Sequence, residues 1–253
     1  MVAILLAAAS LSSSPAPVDG QAVDYKQGDT VLEGYLAKPV GNDALKPGVL
    51  IIHDWDGLTQ YEKTRADMLA GLGYVALAGD IYGKTTRPKS SQENSQHAGK
   101  YYNDPALFRA RLQAGLDELK KTPGVDPKRV AAIGYCFGGA GVLELARSGA
   151  DLNGVVSFHG SFRTTLPFET GKVKAKVMIH HAAQDPGVNR EQLNGLIDEM
   201  RDAKVDYQLV VYNLNVHPFT VIGGSSYNED ADRRSWASMQ NFFQEIFKPQ
   251  FSW

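Results

Sequence analysis

The chain has one cysteine, Cys136, and its surroundings suit a nucleophile. It lies in Gly134-Tyr135-Cys136-Phe137-Gly138-Gly139, directly after an apolar run at residues 130–133. Small residues two before and two after it let a strand and a helix approach closely, and the tight turn between them holds the side chain away from the core. The Phe137 N–H would then lie at a helix N-terminus, an environment that favours a thiolate and a developing oxyanion. We predict a nucleophile here; the alternative is a buried, unreactive thiol.

A thiol nucleophile needs a histidine to take its proton, and the histidine needs an acid to orient it. On strand-turn-helix nucleophile folds, the chain order is nucleophile, acid, histidine. His217 follows the last predicted strand, and Asp185 follows the strand before that, which gives the order Cys136, Asp185, His217. Three other aspartates are less suitable as the acid: Asp198 and Asp202 lie on a predicted surface helix, and Asp206 lies at the wrong end of a strand. The remaining histidines are predicted to be structural or to line a pocket: His53, His97, His159, His180 and His181.

The elements that must position these residues alternate along the chain. Short apolar runs predict buried strands at residues 49–52, 74–78, 130–133, 155–158, 176–180 and 207–212, after a hairpin at 24–36. Helical patterns separate or follow them at residues 61–72, 105–121, 137–147, 191–203 and 233–247. The polar segment 80–104 is predicted to form a short helix or a lid. The alternation predicts one α/β domain: a mostly parallel, doubly wound sheet flanked by helices.

Composition narrows the class of partner. The chain of 253 residues has 26 basic and 28 acidic side chains, a net charge of −2, and no basic stripe of the kind that nucleic-acid binding requires. No apolar run approaches the roughly 20 residues of a membrane span. A single cysteine excludes an intrachain disulfide and a cysteine-based zinc site. We expect a monomeric protein that acts on a small molecule, with no metal.

The N-terminal residues 1–11 form an apolar run, and small residues and prolines follow it. This pattern indicates a secretory signal peptide, although the usual basic residue near the start is absent. The candidate cleavage segments are Ala7-Ala8-Ala9 and Gly20-Gln21-Ala22. We assign residues 1–22 to a leader and 23–253 to the single domain. A leader would place the protein in the periplasm or outside the cell; otherwise the segment is the tail of a cytoplasmic protein.

With these residues, the chain resembles the dienelactone hydrolase family of the α/β-hydrolase superfamily, from about residue 24 to residue 247. The resemblance rests on the segment around Cys136, on Gln184-Asp185-Pro186, on Val216-His217-Pro218-Phe219 and on Asp80-Ile81-Tyr82-Gly83. It implies an α/β-hydrolase fold with a Cys-His-Asp triad and no cofactor. It also implies that the backbone N–H of Trp55 joins that of Phe137 in an oxyanion hole. Asp54 would pair with the resting thiol, with one methylene fewer than the glutamate usual in the family, and substrate would displace it.

The chain departs from the family a few residues after His217. Lactone-cleaving members have an arginine there for the substrate carboxylate, whereas this chain has Thr-Val-Ile-Gly at 220–223. The candidate replacements are Arg87, Lys89 and Lys100, whose ordinary role is that of solvated charges. An aromatic pocket for a less charged ester is an alternative, built from Trp55, Tyr82, Tyr101, Tyr102 and Phe137.

We therefore expect a hydrolase that cleaves a small ester or lactone through a covalent thioester on Cys136. A thioesterase, a peptidase or another acyl hydrolase would use the same three residues. A non-catalytic member of the fold that binds a ligand or senses redox state is the alternative from another class.

Overall fold

The computed structural model describes residues 17–41 and 44–248. The strands are β1 (Val18–Gln27), β2 (Thr30–Pro39), β3 (Lys46–Ile52), β4 (Val75–Gly79), β5 (Val125–Tyr135), β6 (Gly154–Phe158), β7 (Lys176–Ala182) and β8 (Tyr207–Tyr212). The helices are α1 (Gln60–Gly71), α2 (Ser91–Tyr102), α3 (Pro105–Lys121), α4 (Phe137–Arg147), α5 (Arg190–Asp202) and α6 (Glu229–Ile246). The polar segment 80–104 thus contains a helix, one of its two predicted forms. The predicted α/β alternation is confirmed.

Within the described part of the chain, the strands form one eight-stranded sheet in the order β1-β2-β4-β3-β5-β6-β7-β8. β1 and β2 form an antiparallel hairpin, β2 runs antiparallel to β4, and all the other neighbours are parallel. The parallel strands β4 and β6 are buried along their whole length, which explains why they appear in the sequence as continuous apolar runs.

Helices cover both faces of this sheet. On one face, α3, α4 and α5 bury residues such as Leu112, Leu143 and Met200 against the sheet. On the other face, α1 and α6 bury residues such as Leu69 and Phe243. Because both faces are covered, the loops at the strand ends are the places where polar side chains can be held near solvent.

The sheet begins before the boundary predicted at residue 23. β1 starts at Val18, which pairs with Pro39, and the five residues 18–22 that were assigned to the leader belong to this strand. These residues were placed in the leader because of the candidate cleavage segment Gly20-Gln21-Ala22, and as an exposed edge they bury no continuous apolar face that would mark a strand. The apolar run at 1–11 lies outside the described residues, so the signal peptide stays a prediction.

The parallel strands bring their carboxyl ends to one edge of the sheet. Cys136 follows β5, Asp185 follows β7 and His217 follows β8, while His53 and Asp54 follow β3. Residues far apart in the chain therefore lie next to one another at this edge. Among the helices of the described residues, none combines the length and the hydropathy that a bilayer crossing needs.

Candidate active site

The turn between β5 and α4 holds Cys136 in a rare backbone conformation. Its φ is 49° and its ψ is −105°, which is costly for a residue with a side chain and marks stored strain. A Cβ atom on Gly134 would lie 2.0 Å from the Gly138 carbonyl oxygen, and one on Gly138 would lie 2.1 Å from the Ile52 carbonyl oxygen. Only glycine fits at these two positions, which is why the small residues flank the cysteine.

Cys136, His217 and Asp185 form a continuous hydrogen-bonded chain. The Cys136 Sγ lies 3.0 Å from His217 Nε2, and His217 Nδ1 lies 2.7 Å from Asp185 Oδ2. The Asp185 side chain is fully buried, and its other oxygen accepts a 2.7 Å hydrogen bond from the Gly187 N–H. With both oxygens engaged, the carboxylate holds the imidazole in one orientation, with Nδ1 protonated and Nε2 facing sulfur.

The loop after β3 brings a second aspartate to the thiol. Asp54 is buried, and its Oδ1 accepts a 2.5 Å hydrogen bond from the Trp55 N–H. Burial raises the pKa of Asp54 to about 6, and hydrogen bonds from the Trp55 N–H and the Cys136 thiol oppose that rise. Asp54 is in turn among the groups that raise the pKa of the Cys136 thiol.

The thiol does not have the depressed pKa that the helix N-terminus alone predicts. Burial raises the pKa of Cys136 well above its ordinary value, and the charge and hydrogen bond of Asp54 raise it further. The Phe137 N–H acts in the opposite direction but does not compensate. Desolvation and the neighbouring carboxylate therefore outweigh the helix N-terminus in the resting state.

The two backbone N–H groups predicted to bind an oxyanion differ in their present hydrogen-bond partners. The Phe137 N–H lowers the pKa of the Cys136 thiol, the effect expected of a donor near the sulfur. The Trp55 N–H is already occupied by Asp54 Oδ1. A substrate oxygen would have to replace that carboxylate oxygen to use both donors.

A buried glutamate supports this loop. Glu62 is fully buried at the start of α1, and its carboxylate accepts hydrogen bonds from the Asp54 N–H at 3.2 Å and from the Thr59 N–H at 2.9 Å. Burial raises the pKa of Glu62 to about 7. The capping box Thr59-x-x-Glu62 is visible in the sequence, but only the tertiary structure connects it to Asp54.

The other histidines are buried or peripheral. Burial lowers the pKa of His180 to about 3, and it lowers that of His53, whose Nε2 accepts a hydrogen bond from the Ile81 N–H. His159 is different, because its Nδ1 lies 3.1 Å from the Cys136 backbone nitrogen and its Nε2 lies 2.8 Å from Thr220 Oγ1. No local sequence pattern indicates a specific role for His159 or Thr220.

Most of the aromatic side chains that the sequence suggested for a substrate pocket pack within the protein core instead. Tyr82, Tyr101 and Phe137 are buried and pack together, so they belong to the core rather than to an open pocket. Trp55 and Tyr102 are the exposed members of the aromatic set, at 39% and 37%.

The proposed replacement cation Arg87 pairs with Asp80 and Glu33 and donates to the carbonyl oxygens of Gly83 and Thr86. Its charge is therefore largely satisfied within the protein. Among the described residues, no group of three or more His, Cys, Asp or Glu side chains is arranged to hold a metal ion.

Comparisons with protein families and with solved structures relate this chain to the same group of proteins. The model of the dienelactone hydrolase family matches residues 32–247. The crystal structure of the dienelactone hydrolase-like promiscuous phosphotriesterase P91, from metagenomic libraries, superposes with a TM-score of 0.85 at 38% identity, covering 91% of this chain and 99% of that one. A structure named m3DLH gives 0.87 at 35% identity, with the same coverage.

A curated relative from Saccharolobus solfataricus is 25% identical over 261 residues, covering 88% of this chain and 98% of its own length. It carries the provisional name carboxymethylenebutenolidase. The family match spans most of the chain, and the sheet order and helix positions agree with the α/β-hydrolase fold. The chain therefore belongs to the dienelactone hydrolase family and is a dienelactone hydrolase-like hydrolase.

Proposed function

We propose that this hydrolase cleaves a small ester or lactone by nucleophilic catalysis, with Cys136, His217 and Asp185 as its triad. One observation carries the proposal: Cys136 Sγ lies 3.0 Å from His217 Nε2, while Asp185 lies 2.7 Å from the other ring nitrogen. A nucleophile, a base and an orienting acid within hydrogen-bond reach are the combination that acyl transfer requires.

The reaction begins with a protonated thiol. Because Asp54 and burial keep the pKa of Cys136 high, the thiolate forms only when the carboxylate moves away from sulfur. A substrate carbonyl oxygen that takes the Trp55 N–H would displace Asp54 Oδ1 from its 2.5 Å hydrogen bond. In this proposal, substrate binding itself removes the charge that opposes ionisation, and a resting thiol is protected from adventitious reaction.

Acylation and deacylation then use the same groups. His217 takes the thiol proton, and sulfur bonds to the carbonyl carbon while the oxyanion accepts hydrogen bonds from the Phe137 and Trp55 N–H groups. The carbon–oxygen bond breaks, His217 returns the proton to the leaving alcohol, and a thioester remains on Cys136. Water then adds to that carbonyl with His217 as base, which releases the acid and restores the thiol.

The test compares the wild type with Cys136→Ala on a panel of neutral and charged aryl esters and lactones. We expect Cys136→Ala to abolish turnover while the thermal unfolding midpoint stays close to that of the wild type. We also expect mass spectrometry of the wild type, quenched with acid early in its reaction with an activated ester, to detect an acyl adduct on Cys136 that is absent from Cys136→Ala. Undiminished turnover by folded Cys136→Ala would refute the proposal, and an intact enzyme that turns over no ester would favour the non-catalytic alternative.

Phosphotriester hydrolysis is a second candidate. It is favoured by the relationship to phosphotriesterase P91, which is 38% identical and covers nearly the same length. Two backbone N–H donors beside a thiolate can stabilise a phosphoryl oxygen as well as a carbonyl oxygen. Adding an aryl phosphotriester and an acyl thioester to the same panel distinguishes this candidate and the thioesterase alternative from a simple esterase.

A further inference from the structure

Two strained residues meet behind the nucleophile. Cys136 has a φ of 49° and His159, the residue after β6, has a φ of 42°. The Cys136 N–H is shared between the Phe158 carbonyl oxygen at 3.0 Å and His159 Nδ1 at 3.1 Å. Positive φ in residues with a Cβ persists only where surrounding contacts enforce it. Here the side chain of one strained residue binds the backbone of the other.

The hydrogen bonds determine the protonation of His159. The ring is fully buried, and burial together with the nearby His217 lowers its pKa well below the ordinary value. A neutral ring has one donor and one acceptor nitrogen. Since Nδ1 accepts from the Cys136 N–H, Nε2 must be protonated and donates to Thr220 Oγ1 at 2.8 Å.

Thr220 connects this histidine to the loop that carries the base. It is three residues after His217, is fully buried, and its hydroxyl also lies 2.7 Å from the Tyr61 hydroxyl on α1. The Thr220 backbone is held separately, because its carbonyl oxygen accepts a 2.9 Å hydrogen bond from Arg65. The hydroxyl of Thr220 thus provides a link between side chains that can be removed while the loop keeps its backbone anchor.

The contact extends to the catalytic imidazole. The rings of His159 and His217 meet edge to face, with centroids 5.4 Å apart, and His159 packs in the same way against Phe219 at 5.1 Å. His159 therefore binds the backbone of Cys136 and packs on the ring of His217. These are the two residues whose separation decides proton transfer.

We propose that His159 is a positioning residue that, through Thr220, ties the turn carrying Cys136 to the loop carrying His217. It touches no substrate; it sets the distance between sulfur and Nε2 by joining the two loops. This inference rests on the proposed function, because a fixed distance matters only if His217 takes the proton of Cys136. Small errors in such a distance lower the rate of a step that depends on alignment.

The matched test is Thr220→Val against Thr220→Ser, because valine keeps the shape and loses the hydroxyl whereas serine keeps the hydroxyl. We expect Thr220→Val to lower kcat for an activated aryl ester about tenfold, with KM within about twofold, and Thr220→Ser to retain most of kcat. Rates are normalised to folded enzyme by the native circular dichroism signal of each variant. Thr122→Val is the control, because it removes another threonine hydroxyl bond, to the Glu118 carbonyl oxygen, away from the site.

Equal kcat values for Thr220→Val and Thr220→Ser would overturn the positioning role, and so would an equal loss in Thr122→Val. A second measurement does not depend on turnover. Nitrogen-15 NMR of the histidine rings in the wild type should find His159 neutral with Nε2 protonated, and the opposite tautomer would also overturn the inference. Failure of the proposed function has a different signature, namely ester hydrolysis that survives Cys136→Ala.

Discussion

Two aspartates flank the site at the carboxyl ends of two parallel strands, and their surroundings give them opposite effects. Asp185, after β7, has one oxygen on His217 Nδ1 and the other on the Gly187 N–H. Asp54, after β3, has one oxygen on the Trp55 N–H and acts on the thiol itself. Both are buried, so burial does not separate them.

The difference lies in which partner each carboxylate faces. Asp185 faces an imidazole and holds a proton on the ring nitrogen away from sulfur, so in the proposed reaction it supports the base. The negative charge of Asp54 opposes ionisation of the Cys136 thiol, so in the proposed reaction Asp54 restrains the nucleophile. A carboxylate near a nucleophile therefore has no fixed role; its contacts decide whether it promotes or delays the reaction.

The largest expected effect is that of Asp185→Asn. The amide cannot stabilise an imidazolium, and it favours the wrong ring tautomer of His217, so kcat should fall by about 10³–10⁴. Steady-state hydrolysis of an activated ester measures this. Asp198→Asn, an exposed residue of α5 that pairs with Arg201, is the control and should stay within about twofold of the wild type. A loss below tenfold in Asp185→Asn would remove Asp185 from the triad.

Asp54→Asn should act in the opposite direction on the thiol. Removing the negative charge lowers the pKa of Cys136, so we expect alkylation by iodoacetamide near pH 7 to accelerate about tenfold, which corresponds to one pKa unit. The control is Asp198→Asn on α5, which removes an exposed carboxylate that is not among the groups acting on Cys136 or on Asp54. Slower alkylation in Asp54→Asn would show that Asp54 activates the thiol rather than restraining it.

The smallest effect concerns stability, through Glu62. Its pKa is about 7 in the folded protein and 4.5 in an unfolded chain, so the folded state binds more protons between these values. Its contribution to stability is complete below about pH 4.5 and is lost as the pH rises to about 7, by at most about 3 kcal/mol.

Buried histidines with lowered pKa values act in the opposite sense over part of this range, so the difference between variants is the informative quantity. The free energy of unfolding of the wild type minus that of Glu62→Gln, measured by denaturant titration, should decline from about pH 4.5 to about pH 7. A constant difference across that range would mean that Glu62 has an ordinary pKa.

Much of the fold could be predicted from the sequence because the hydrophobic pattern of each segment agrees with the face that the segment buries. The runs at 130–133, 155–158 and 207–212 lie within β5, β6 and β8, and the helix predicted at 137–147 has those bounds in the structure. The hairpin predicted at 24–36 lies within β1 and β2, but residues 18–22 of β1 were assigned to the leader because the signal-peptide pattern was extended to a candidate cleavage segment at 20–22. Local pattern predicts an element well only when that element buries a continuous face.

The sequence by itself determined the chemical types at the site and their order along the chain. One cysteine on a glycine-flanked turn, an aspartate after the next-to-last strand and a histidine after the last strand follow from adjacency and parallel-sheet topology. Tertiary structure decided their state. The pKa of Cys136, the occupation of the Trp55 N–H and the link from His159 to Thr220 depend on burial and on contacts between distant segments. Electrostatics and hydrogen bonding act through space, and no spacing along the chain encodes them.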